Sequence, residues 1–211
     1  MQKIKNIVFD LGNVIMDLDI PRTWQSFKHL LGEDFEKNLS KISPDKDIFI
    51  AYEIGLITEE EFFANLRKAT DAPVSVRSLK EAWNSMLLHI PPARLEMLTQ
   101  LKKNYNVYLL SNTNHTHLEF VHGYLKTMYD INDFETRFFH KPYYSHLINL
   151  RKPNSDIYEF ILKDAGLNPE ETLFFDDMPV NIEAAKKLNM RAVLHPVGDD
   201  ITTHVKQYVS Y

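Results

Sequence analysis

The stretch IKNIVFDLGNVIMD, Ile4 to Asp17, decides the fold. Its first half is a short β-rich run (Ile4, Ile7, Val8, Phe9) that stops on an acid, Asp10, and gives way at once to the turn residues Gly12 and Asn13. A short apolar run closed by turn chemistry reads as a buried strand. Working outward, three similar runs occur much later. They are Val107 to Leu110, ending at Ser111; Leu173 to Phe175, ending at Asp176-Asp177; and Ala192 to Leu194. A further short strand is expected over Phe134 to Phe139. Helical stretches separate these runs: Ala93 to Lys103, His115 to about Tyr124, and Asn181 to Leu188. Pro153 opens another helix, with Asn154 or Ser155 as cap, Ile157, Tyr158, Ile161 and Leu162 as buried face, and Gly166 as its end. Strands alternating with helices predict a doubly wound α/β fold, a mostly parallel sheet covered on both faces.

From about Pro21 to His89 the rhythm changes. Apolar residues recur at helical spacing (Trp24, Phe27, Leu30, Leu31; then Phe62, Phe63, Leu66), and Thr58 with Glu61 forms a Thr-x-x-Glu capping box. The span predicts four or five helices and no strand. It reads as a small helical cap over residues 17–90, inserted into a core made of residues 1–16 and 91–211.

Composition narrows the function classes. A net charge of −5 offers no basic stripe, so a sequence-independent hold on nucleic acid is not expected. The absence of cysteine excludes disulfides, thiolate metal sites and a catalytic thiol. The opening MQKIKNIVFDLG does not read as a signal peptide, and no apolar stretch approaches the ~20 residues that span a membrane. A cytoplasmic monomer or homodimer without membrane or nucleic-acid partners is expected.

Three strands end in polar residues: Asp10, Ser111 and Asp176-Asp177. A doubly wound sheet binds its ligands at the carboxyl ends of its strands, beside the switch in strand order. Lys152, before Pro153 at a helix start, can reach the same place. These parts suffice for phosphoryl transfer. A carboxylate can attack phosphorus and hold the group covalently. A hard cation such as Mg2+ would offset the repulsion between that carboxylate and a phosphate ester. Asp10 and Asp177 supply carboxylates, while Ser111 and Lys152 would bind phosphoryl oxygens.

FDLGNVIMD (Phe9 to Asp17), LLSNT (Leu109 to Thr113), RKP (Arg151 to Pro153) and FFDDMPVNIEAA (Phe174 to Ala185) resemble, in order, the four motifs of the haloacid dehalogenase-like superfamily. The helical insert lies where that family's type 1 cap lies. The FDLGNVI opening and, within the insert, AYEIGLITEEEF (Ala51 to Phe62) resemble those of bacterial α-D-glucose-1-phosphate phosphatases. The resemblance implies a magnesium-dependent phosphatase acting on a small phosphorylated molecule. It implies Asp10 as nucleophile and metal ligand and the Gly12 carbonyl as a second ligand. Asp177 is implied as the acidic ligand, with Asp176 close behind. Gly12, Asn13, Ser111, Asn112 and Lys152 are implied around the phosphoryl group, with Asn112 contributing its side chain or backbone amide.

One departure stands out. Most phosphatases of this family carry a second aspartate, a general acid and base, two residues after the nucleophile; here that position is Gly12. Asp17 and Asp19 lie beyond the loop, toward the cap, and are poor substitutes. Rival readings are an L-2-haloacid dehalogenase, which needs no metal, and a non-catalytic binder of the same fold; a phosphomutase is a smaller third. Glu59-Glu60-Glu61 reads as a solvated helix start. His115-x-His117 lacks a third ligand for zinc. Trp24, Phe49, Tyr52 and Glu53 are the cap side chains that could meet a substrate.

Overall fold

A computed structural model describes residues 3–42, 47–70 and 73–211. After β1 (Asn6–Phe9) come α1 (Ile20–Leu31), α2 (Phe35–Ile42), α3 (Ile48–Glu53), α4 (Glu59–Lys68) and α5 (Val76–Asn84), with no strand between them among the described residues. The alternating part follows as α6 (Pro92–Leu101), β2 (Asn106–Ser111), α7 (His115–Tyr129), α8 (Phe134–Phe138), β3 (Lys141–Tyr144) and α9 (Ser145–Ile148). It continues through α10 (Ser155–Asp164), β4 (Thr172–Asp176), α11 (Pro179–Lys187), β5 (Arg191–Leu194) and α12 (Ile201–Val205). The strands form one parallel sheet in the order β3-β2-β1-β4-β5. The chain winds outward from β1 to β3 and then crosses back to β4, so the order reverses beside β1.

Alternation along the strands builds two cores. Ile7, Phe9, Val107, Leu109, Leu173 and Phe175 point to one face, where α6, α7, α8 and α12 cover them. Val8, Tyr108, Leu110 and Phe174 point to the other, beneath α10 and α11. Successive side chains of a strand face opposite ways, so runs buried on both faces read as continuous apolar sequence.

The expected strand at Phe134 to Phe139 is corrected. Residues 134–138 are helical, and the strand is Lys141–Tyr144. Phe134 and Phe138 stand four residues apart and pack together into the core, which is helical spacing. The true strand begins Lys-Pro and looks unpromising in sequence. It is an edge strand, pairing with β2 alone, where a proline's missing N–H is tolerated.

Helices α1 to α5 close around their own apolar cluster, in which Trp24, Phe27, Phe35, Phe49, Phe62 and Trp83 stack or meet edge-on. The Thr58–Glu61 capping box forms with both reciprocal bonds. This helical layer is stitched to the start of α7 and to the two ends of α9. Tyr52 Oη lies 2.6 Å from Thr116 Oγ1. Ser145 Oγ donates to the Glu53 carbonyl at 2.6 Å, and Asn149 Nδ2 to the Ile54 carbonyl at 2.8 Å. The last carbonyls of α3, left open by the helix itself, are thus capped from the other layer. Gly55 follows with φ +70°, and a Cβ there would lie 2.3 Å from the His146 carbonyl oxygen. Only glycine permits both the left-handed turn and that approach.

His117 sits in the same seam. Its ring stacks on Trp83 at 4.6 Å, and Nδ1 lies 2.8 Å from Asn84 Oδ1. Burial pushes its pKa down from 6.5 to about 3. The unfolded chain takes up that proton near pH 6.5. This contribution to stability is therefore complete above pH 6.5 and is lost as the pH falls toward 3. At pH 5 the loss amounts to about 2 kcal/mol. In urea unfolding at pH 7 and pH 5, wild type is expected to lose about 2 kcal/mol more than His117→Gln. Equal losses would show that the seam does not exclude the imidazolium.

Candidate active site

Parallel register sets the site. Phe9 pairs with Phe175, so the next residues, Asp10 and Asp176, emerge side by side from β1 and β4, and the Asp10 amide donates to the Phe175 carbonyl at 2.9 Å. Ser111 ends β2 on the other flank of β1. The oxygens of Asp10, Asp176 and Asp177 fall within 4.8 Å of one another. Residues 166 positions apart in sequence thus meet at one rim, as the polar strand endings predict.

Lys152 lies in the middle. Its side chain is buried, and Nζ stands 2.8 Å from Asp10 Oδ1 and 2.6 Å from Asp176 Oδ2. Burial alone would lower its pKa, but Asp10 and Asp176 outweigh burial and hold the ammonium charged. Asp10 also accepts from the Leu11 amide at 2.7 Å. Burial raises the Asp10 pKa to about 7, with Lys152 pulling against it and Asp176 and Asp177 adding to it. Burial likewise raises Asp177.

The paired acids differ in surroundings. Asp176 is fully buried and committed: Oδ2 takes Lys152, while Oδ1 takes the Met178 amide and Asn181 Nδ2, both at 2.8 Å. Asp177 is half-buried, and Asn13 Nδ2 holds one of its two oxygens at 2.9 Å. Asn13 has φ +53°, and its Oδ1 accepts from the Leu18 amide at 3.2 Å. Its side chain therefore braces Asp177 and closes the turn after β1. The Asn112 side chain meets the Lys152 backbone, at 2.9 Å through both Oδ1 and Nδ2. Gly12 lies in the same turn, and a Cβ there would sit 2.6 Å from Leu18 Cδ1. Leu18 fills the space beside the residue that replaces the usual second acid.

Asp17 is not drawn to this rim. Arg94 holds it at 2.7 Å and His89 at 3.2 Å. Asp19 stands at the start of α1. His115 and His117 part company: His117 is buried on Trp83, while His115 lies near Glu59 and Glu119. Glu59 is engaged by Lys80 at 2.6 Å and by Thr116 at 2.7 Å, so this first-turn acid serves the seam. Trp24 and Phe49 belong to the aromatic cluster, Tyr52 bonds Thr116, and Glu53 pairs with Arg151 at 2.8 Å. The sequence reading missed Asn181. Its signal was an amide five residues after Asp176, in the first turn of α11.

The donor set suits a hard divalent cation. One ammonium against three clustered carboxylates leaves excess negative charge, and carboxylate oxygen is the ligand type such a cation takes.

Comparison with known proteins gives the chain's family. The family model "haloacid dehalogenase-like hydrolase" matches residues 4–189. D-ribitol-5-phosphate phosphatase of Bacteroides thetaiotaomicron is 32% identical over 199 residues, covering 93% of this chain and 94% of its own. A haloacid dehalogenase family enzyme from the same organism, solved with magnesium and inorganic phosphate, superposes with TM-score 0.86 at 34% identity, covering 96% and 98% of the two chains. A predicted hydrolase of this type from Porphyromonas gingivalis gives TM-score 0.84 at 29% identity, covering 98% of each chain. A 2-haloacid dehalogenase from Pseudomonas syringae, at 16% identity and TM-score 0.62, shares the fold; 91% of this chain and 86% of that one are covered. With its motifs at the strand ends and the family model spanning most of its length, the chain belongs to the haloacid dehalogenase-like hydrolases.

Proposed function

We propose that this protein is a magnesium-dependent phosphatase that hydrolyses a small sugar or polyol phosphate through an aspartyl-phosphate. The observation that carries the reading is the gathering of Asp10, Asp176 and Asp177 around Lys152 at the rim of β1 and β4. The ribitol phosphate named for the 32%-identical relative supports the substrate class, and the magnesium and phosphate held by the superposed enzyme support the cofactor.

In this reading Asp10, the Gly12 carbonyl and Asp177 would hold Mg2+, with Asp176, largely engaged by Lys152, the Met178 amide and Asn181, behind them. Bound there, the cation screens the substrate's charge and polarises a phosphoryl oxygen. Ser111, Lys152 and the backbone amides near Gly12, Asn13 and Asn112 bind the remaining phosphoryl oxygens. The Asp10 carboxylate attacks phosphorus. The P–O electron pair departs with the substrate oxygen, which takes its proton from solvent because no acid occupies position 12. Water then attacks the phosphorus of the aspartyl-phosphate, losing a proton to solvent, and Asp10 returns as carboxylate while phosphate leaves. Residues 17–90 act as the cap that selects the leaving group, with residues 1–16 and 91–211 as the catalytic core.

Phosphate release from pentitol and hexose phosphates is expected to need Mg2+, to stop in chelator, and to fall by roughly 10⁴-fold or more in Asp10→Asn. Turnover that survives chelation would favour dehalogenase-type chemistry and sink the metal assignment. Failure of the wild-type protein to bind beryllofluoride with Mg2+, an aspartyl-phosphate mimic, would favour a binder.

The glycine at position 12 has its own consequence. Gly12→Asp together with Leu18→Ala, which clears the space, is expected to raise kcat most on esters of weakly acidic alcohols. The gain is up to ~10²-fold, since general acid help matters most where the leaving group is poor. A folded double variant with unchanged rates across leaving groups would show that proton supply at position 12 does not limit the reaction.

A further inference from the structure

We infer that Asn112 acts on the reaction through Lys152, as a clamp on its backbone. The inference rests on the phosphatase reading and adds a positioning residue to it. Lys152 belongs to neither a strand nor a helix. It is buried all the same, and Pro153 after it brings no amide hydrogen to help fix the loop. Nothing in the sheet ladder serves its N–H and C=O. Asn112 does: Oδ1 accepts from the Lys152 amide, and Nδ2 donates to the Lys152 carbonyl, both at 2.9 Å. The two bonds close a ring between one side-chain amide and the backbone of a single residue 40 positions away.

The geometry has two effects. A planar amide that meets both an N–H and a C=O fixes position and orientation together, which a single bond does not. Asn112 directly follows Ser111, the last residue of β2, so the clamp ties the lysine to the most rigid element nearby. The long lysine side chain is anchored at its root by Asn112 and at its tip by Asp10 and Asp176. Only the root contact persists when a phosphoryl group draws the ammonium away from the carboxylates. Oδ1 and one Nδ2 hydrogen of Asn112 are spent on Lys152, which fixes the amide plane on the lysine backbone. A supporting amide of this kind typically costs 10–100-fold when removed.

The test is a double-mutant cycle between Asn112→Ala and Lys152→Met, read on p-nitrophenyl phosphate hydrolysis and on beryllofluoride affinity, both with saturating Mg2+. Asn112→Ala alone is expected to lower kcat roughly 10- to 100-fold while the Mg2+ concentration for half-maximal activity stays within about threefold. In the Lys152→Met background the same change is expected to cost less than about twofold in either readout. A generally destabilised fold would instead move Mg2+ dependence and remain additive. Additive losses across the cycle, or an unimpaired Asn112→Ala, would overturn the clamp. Wild type inert with Mg2+ in both assays would mark failure of the phosphatase reading itself, a different outcome.

Discussion

The constraint on which the site depends is the burial of one ammonium between carboxylates from two neighbouring strands. Lys152 keeps its charge where it lies because it is paired; an isolated buried ammonium is far too costly, and an unpaired amine there would shed its proton. Asp10 and Asp176 cannot lie side by side at the ends of β1 and β4 without a cation between them. Each charge makes the others tolerable, so the cluster forms as a unit. Removing Lys152 would strand two buried acids and cost on the order of 3–5 kcal/mol. Everything around the cluster limits its freedom. Asn181 and the Met178 amide fix Asp176, Asn13 braces Asp177, and Asn112 grips the lysine backbone. Three neutral amides orient three charges without adding a charge of their own.

The second constraint is the seam between the helical layer and the sheet. Helix α3 ends with carbonyls that its own chain leaves open, and Ser145 and Asn149 answer them from the far side. Arg151, next to Lys152, pairs with Glu53 at the same helix end. The segment that carries the ammonium is thus held from below by Asn112 and from above by α3. Any shift of the helical layer is felt within one residue of the charge cluster. The aromatic cluster of Trp24, Phe27, Phe35, Phe49, Phe62 and Trp83 packs that layer together from within.

Much of this was legible in the sequence, for identifiable reasons. An apolar run that stops abruptly on Asp10, Ser111 or Asp176 declares both a buried strand and the end at which chemistry collects, because the parallel sheet leaves no other place for those groups. The edge strand was hidden, since Lys141 and Pro142 break the apolar pattern and the aromatic run before it mimics a strand. Phe134 and Phe138 are spaced for a helix, and that spacing was the better guide. The asparagines were hidden in a different way. An amide side chain carries no charge and no period, so its partner depends on which backbone atoms tertiary packing delivers. Asn13 and Asn112 lie next to residues with obvious roles, and nothing local distinguishes a ligand from a brace. The divided fates of His115 and His117 belong to the same class: two positions apart on a helix, one faces solvent and the other Trp83.

Position 12 shows why a missing residue is best judged by what replaces it. Glycine there is not a simple deletion, because Leu18 Cδ1 occupies the room a side chain would need. The turn has closed over the gap with an apolar group, and Asn13, in a left-handed conformation, pins it by accepting the Leu18 amide. A side chain placed in that spot would meet Leu18 first, and the leucine would have to move. The loop is therefore self-consistent without the second acid, and glycine keeps the backbone carbonyl that the proposed metal site would use. A phosphatase built this way depends more on the intrinsic acidity of its leaving group and on charge stabilisation by Lys152. In the proposed phosphatase that places a premium on the clamp that holds the lysine.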